Sequence, residues 1–141
     1  MREIRWMASW VLALFLAAMF LWIADLSLFP SEPTKNVVFP LLADYSGLAL
    51  FEPAGRLVVG LLHVLAAFLL LLPWTRRIGA MLALLIVGGA VLAHVLWLGV
   101  EIPVAAGASE TDGGQLLYLA LALAGAALLL AFVHPGRRKS G

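Results

Sequence analysis

Two histidines interrupt long apolar runs, and they are the residues best suited to chemistry. His63 lies in GRLVVGLLHVLAAFLLLL, residues 55–72, and His94 in AVLAHVLWLG, residues 90–99. An imidazole titrates near neutrality, so it can donate or accept a hydrogen bond and relay a proton. An ionisable group inside hydrocarbon is costly and marks a site by default. Tyr118, Arg56, Asp112 and Glu101 are the other candidates for ligand contact or proton relay. The chain has no cysteine, which excludes disulfides, thiol catalysis and thiolate metal sites. No set of residues has the spacing of a metal site.

The elements that position these groups follow from hydropathy. Of the 141 residues, 64% are hydrophobic and 12% charged, about half the charge of an ordinary soluble domain. Mean hydropathy is +1.06. Lipid is the expected solvent, and the net charge of +1 gives no ground for a nucleic-acid partner. Four runs are long enough to span a bilayer, residues 6–28, 55–72, 78–98 and 115–133. The first follows Arg2 and Arg5 as a signal peptide would. Its length exceeds a signal core and no A-x-A site follows, so it reads as a retained span. PWTRR joins the second run to the third and forces an antiparallel hairpin. Asp112 before Gly113 and Gly114 is expected to cap the fourth helix. The fold class is therefore all-α, a polytopic membrane protein with one antiparallel four-helix domain.

Charge placement gives the direction. The N-terminus, the PWTRR link and the tail hold Arg2, Arg5, Arg76, Arg77, Arg137, Arg138 and Lys139 against one acid, Glu3. The other side, with loops 29–54 and 99–114, holds Asp25, Glu32, Asp44, Glu52, Glu101, Glu110 and Asp112 against Lys35 and Arg56. The positive-inside rule puts both termini in the cytoplasm of a cell whose inner membrane holds the chain, bacterial on this reading. Trp6, Trp10, Trp74 and Trp97 read as belt anchors at span ends. The apolar segment 37–51 is too short to span. It either packs on the helix ends or dips back as a partial lid.

Each span also offers a stripe of small or polar residues: Ala18, Trp22 and Asp25; Arg56, Gly60, His63 and Ala67; Gly79, Ala83, Ala90 and His94; Gln115, Tyr118, Ala122 and Gly125. Small residues let helices approach closely in lipid, so these stripes are expected to face the bundle interior. At 1.5 Å per residue, His63 lies about 12 Å and His94 about 6 Å below the outer rim. An outward-opening polar pocket lined by His63, His94, Tyr118 and Trp97 is expected. The alternative for each histidine is a plain hydrogen bond to a neighbouring helix.

The stretch from Glu52 to Tyr118 resembles the DoxX-like family of small four-helix membrane proteins. The matching features are the G-x-x-[polar]-x-x-A/G pattern of the second span, R-x-G-A after the short link, A-x-x-A-H ending the third span, and DGG before the fourth. Family members often carry Glu where this chain has His63. The resemblance implies an accessory, redox-linked role, since founding members look like a small subunit of a quinone-reducing oxidoreductase. The expected ligand is then lipophilic, with quinone as the candidate, and the expected partners are the lipid bilayer and a membrane redox protein. A bis-histidine haem fits less well, because the two rings differ in depth by roughly one turn and there is no C-x-x-C-H. The competing function is a non-enzymatic membrane chaperone or assembly factor acting through helix–helix contacts. Oligomeric state is left open by the sequence.

Overall fold

The structure, a computed structural model, describes residues 1–31 and 36–134. Glu32, Lys35 and the Arg137, Arg138 and Lys139 tail, counted above, lie outside the described residues. Five α-helices follow in order: α1 (Arg2–Leu28), α2 (Val38–Ser46), α3 (Ala54–Leu71), α4 (Arg76–Ala93) and α5 (Gln115–Val133). A 3-10 turn, Ala49–Phe51, precedes α3, and a π turn, His94–Leu98, prolongs α4. No strand occurs among the described residues, where one isolated bridge pairs Pro103 with Thr111.

The helices α1, α3, α4 with its π turn, and α5 are each long and apolar enough to cross a membrane. They form an antiparallel four-helix bundle in which α1 packs on α3 and α5, and α4 packs on α3 and α5. One end of the bundle, the terminal end, carries the start of α1, the α3–α4 turn and the last turn of α5. The other, the loop end, carries α2 and the segment between the π turn and α5.

Small residues set how closely the helices approach. A Cβ added at Gly79 would stand 2.7 Å from the Leu70 backbone nitrogen, and one at Gly60 would stand 2.8 Å from a Leu28 methyl. Around these contacts Ala13, Leu16, Phe20, Ala66, Leu70, Ala83, Leu123 and Ala127 form the buried core. Helix association in lipid gains from this kind of packing, since the surrounding tails are as apolar as the side chains.

Two of the four expected faces are turned differently. The α3 stripe is inward, with Gly60, His63 and Ala67 buried, and on α4 Gly79, Ala83 and His94 are buried although Ala90 is exposed. On α5 the stripe of Gln115, Tyr118, Ala122 and Gly125 is exposed, and Ala120, Leu123, Ala127 and Leu130 face in. On α1, Ala18, Trp22 and Asp25 are exposed, and Ala17, Phe20 and Ala24 face in. The physical reason is that a helix solvated by lipid is apolar all round. A polar residue in a terminal turn, such as Asp25 of α1 or Gln115 and Tyr118 of α5, reaches headgroups from the outer face as readily as it reaches the interior.

The segment 37–51 packs on the helix ends. Val37 and Leu42 bury against Leu98 of the π turn and Ile102 of the following loop. Gly47, at φ 72°, ends α2 in the left-handed conformation that glycine adopts without strain.

The two glycine environments yield a paired prediction. Gly79→Ala forces α3 and α4 apart and is expected to cost about 1–3 kcal/mol. Gly88→Ala, where an added Cβ meets nothing within 4 Å, is expected to be neutral or slightly stabilising. Thermal unfolding of both variants in one detergent checks this. Equal midpoints would remove Gly79 as a packing requirement.

Candidate functional site

His63 sits in the middle of α3, 5% exposed. Its Nδ1 lies 2.7 Å from the Val59 carbonyl one turn earlier, and its ring meets Phe20 of α1 edge-on with centroids 4.9 Å apart. A carbonyl can only accept, so Nδ1 carries the proton. His94 opens the π turn and is 6% exposed. Its Nδ1 donates to the Gly99 carbonyl at 2.7 Å. The wide turn makes this possible: Gly99, at φ 75°, donates its own N–H back to the His94 carbonyl at 2.8 Å. Ring and backbone thus lock the end of α4 reciprocally. Single π turns of this kind recur at functional sites.

The structure does not join the two histidines by a hydrogen bond. Each is tied to its own helix. His63 faces α1, whereas His94 lines a lateral dent of about 220 Å³ with Val95, Gly99, Val100 and Leu117. Tyr118 is 59% exposed and packs its ring beside Gly114, on the outward face of α5. Trp97 stacks edge-on to Phe51 at 6.0 Å.

Arg56 has a structural task. Its Nε–H is shared between the two carboxylate oxygens of Glu52 one turn earlier, each at 3.0 Å, and its Nη1 donates to the Ser27 carbonyl in the last turn of α1. Asp112 organises the loop before α5. Its carboxylate accepts from the N–H groups of Ile102, Gly114 and Leu116, each at 3.0 Å. The N-cap residue is Gly114 and not Asp112, so the capping charge comes from two positions upstream of the cap. Burial would raise this carboxyl, but the backbone donors, with the His94 ring nearby, outweigh it and hold it below the usual carboxylate range. Glu101 accepts from the Thr111 hydroxyl at 2.6 Å and is exposed.

A second polar cluster lies at the terminal end, where the sequence suggested only orientation signals. Arg76 is 0% exposed. Its Nε donates to the Leu70 carbonyl at 2.9 Å and its Nη1 to Ser9 Oγ at 3.1 Å. Its guanidinium lies 4.0 Å above the Trp10 ring centroid. Ser9 is 2.8 Å from His134 Nδ1. Arginine can only donate, so the Ser9 proton is free to go to His134. The signal missed in the sequence is Ser9, a polar residue inside the first span at the depth of the PWTRR link.

These features define an integral membrane protein: a bundle of four apolar helices with an imidazole-lined dent at one end and a buried guanidinium at the other. Comparison with protein-family models, with curated proteins and with solved structures finds no match to the chain.

The terminal cluster responds to pH. Burial, then Arg76, lower the His134 pKa, the Pro73 carbonyl raises it, and Arg77 lowers it further, so the ring stays below the ordinary imidazole range. The folded state therefore holds this proton less readily than the unfolded chain, whose value is near 6.5. The stability tied to the Ser9–His134 contact is complete above about pH 6.5 and is lost as pH falls through the folded-state value. The thermal midpoint is expected to drop on acidification from pH 7 to 5, and to drop less in His134→Gln. An equal drop in both would exclude His134 as the group responsible.

Proposed function

We propose that this chain is a DoxX-like accessory subunit of a membrane redox system, and that the dent at His94 takes the ring of a lipophilic ligand, with a quinol or quinone as the candidate. The observation that carries the reading is the protonation geometry of His94. Its Nδ1–H is committed to the Gly99 carbonyl, which leaves Nε2 as the acceptor on a neutral ring, beside an otherwise apolar dent. Neutral His94 suits the hydroxyl of a quinol. Protonated His94 donates to the carbonyl of a quinone. The same nitrogen therefore serves both redox forms: as a quinol gives two electrons to a partner protein, one hydroxyl proton passes to Nε2 and the other leaves to the aqueous phase, and the reverse steps form quinol from quinone. The dent holds a single ring, and an isoprenoid tail would lie along α5 in the lipid. His63 takes no direct part on this reading.

The orientation that goes with it has both termini in the cytoplasm of a bacterial inner membrane, supported by the excess of arginine and lysine at the terminal end. The ligand then enters from the outer leaflet.

A second reading has one observation in its favour. Gly88, Gly89, Ala90, Ala122 and Gly125 are all exposed on the adjacent helices α4 and α5. Outward small residues leave room for a partner helix, which suits a membrane chaperone or assembly factor.

Mass spectrometry of an organic extract from gently purified protein separates the two. The ligand reading predicts quinone in stoichiometric amount with the wild type, unchanged in His63→Ala and lowered about tenfold in His94→Ala, the worth of one good hydrogen bond. Bulk phospholipid alone from the wild type, or equal quinone in the two variants, would sink it.

A further inference from the structure

The guanidinium of Arg76 has five N–H donors and too few acceptors. Nε and Nη1 are satisfied by Leu70 and Ser9. Nη2 is buried and has no hydrogen-bond partner, and the same holds for the indole Nε1 of Trp10, whose ring lies under the guanidinium. Two orphaned donors from α4 and α1 are thus brought together in one place.

The charge balance is equally one-sided. Around Arg76 stand Arg5, which donates to the Phe132 and Val133 carbonyls, and Arg77, which donates to the His134 carbonyl. Burial and the neighbouring arginines disfavour the charged form of His134, whose Nδ1 accepts from Ser9. Among the described residues the ion pair is Glu52–Arg56, at the opposite end of the bundle. No carboxylate of the described chain bonds to Arg76. A buried cation without a counter-charge costs several kcal/mol, which the Trp10 ring face offsets in part, so an acceptor from outside the described residues would stabilise it.

Its chemistry follows from the donors and their level. A planar guanidinium prefers oxyanions such as carboxylate or phosphate. Arg76 is the first residue of a membrane-spanning helix, the level at which lipid phosphates lie. We propose that Arg76 Nη2 and Trp10 Nε1 form a binding site for one phosphate group, presented either by an anionic lipid headgroup or by soluble phosphate. The site is independent of the dent at His94, which lies at the other end of the bundle.

The test uses the full chain in nanodiscs of phosphatidylcholine, with or without phosphatidylglycerol, read by native mass spectrometry and thermal unfolding. The wild type is expected to retain one phosphatidylglycerol and to unfold at a higher temperature with it. Trp10→Phe keeps the ring and loses the N–H, and is expected to bind it about tenfold more weakly, as is Arg76→Lys. Arg2→Gln, on an exposed residue outside the site, is expected to bind as the wild type does. Inorganic phosphate added to phosphatidylcholine discs identifies the source. Stabilisation by it that Trp10→Phe lacks assigns a soluble phosphate, and stabilisation by phosphatidylglycerol alone assigns the lipid. If Arg76→Lys fails to fold, Trp10→Phe decides. Equal binding by Trp10→Phe and wild type, or no response to either phosphate, overturns the proposal and leaves the two donors to buried water.

Discussion

A helix that ends inside or beside hydrocarbon leaves its last carbonyls without intrahelical donors, and water is scarce there. In this bundle, side chains from neighbouring elements supply several of those donors. Arg56 of α3 closes the end of α1 at Ser27. Arg76 of α4 and Thr75 close α3 at Leu70 and Leu69. Arg5 of α1 closes α5 at Phe132 and Val133. Each arginine bond places a cation at the negative end of a helix dipole, where it is favoured, and ties one helix to another. The antiparallel arrangement follows naturally, because the start of one helix must lie beside the end of the next.

The end of α4 departs from this pattern, and the departure creates the candidate site. No arginine reaches it. The helix widens into a π turn, and His94 donates to the Gly99 carbonyl that the turn brings round. The imidazole does the capping that guanidinium does elsewhere. Unlike guanidinium, it keeps one nitrogen able to accept, on a residue that lines the dent beside α5. His63 spends its Nδ1 on its own helix in the same way, but it packs against Phe20 inside the bundle, away from the dent. The buried Arg76 shows the opposite imbalance, with more donors than the described chain satisfies.

Much of this was legible in the sequence because length and hydropathy decide whether a helix spans. Residues 115–133 match α5 at both bounds, and PWTRR fixed the α3–α4 hairpin. The rotation of α1 and α5 was not legible. Tyr118 and Asp25 were placed inward on the premise that polar groups avoid lipid, yet both sit near the loop end, where an outward polar group meets headgroups. The joint pocket of His63, His94 and Tyr118 depended on that rotation. Arg76 was read as an orientation signal because an arginine beside a span end usually is one. Its burial depends on Ser9 and Trp10, which are 67 and 66 positions away in sequence and meet it only after the bundle forms. Asp112 was legible as a cap but not in register, since the two glycines that follow it extend the turn before α5 begins.

The account turns on which nitrogen of His94 holds the proton. Solid-state 15N spectra of histidine-labelled protein in bilayers, assigned with His94→Gln, measure this directly. The geometry predicts a protonated Nδ1 and a bare Nε2 at neutral pH, with the Nε2 signal moving when a hydroxylated ligand binds. A bare Nδ1 with a protonated Nε2 would contradict both the capping of α4 by His94 and the acceptor role assigned to it.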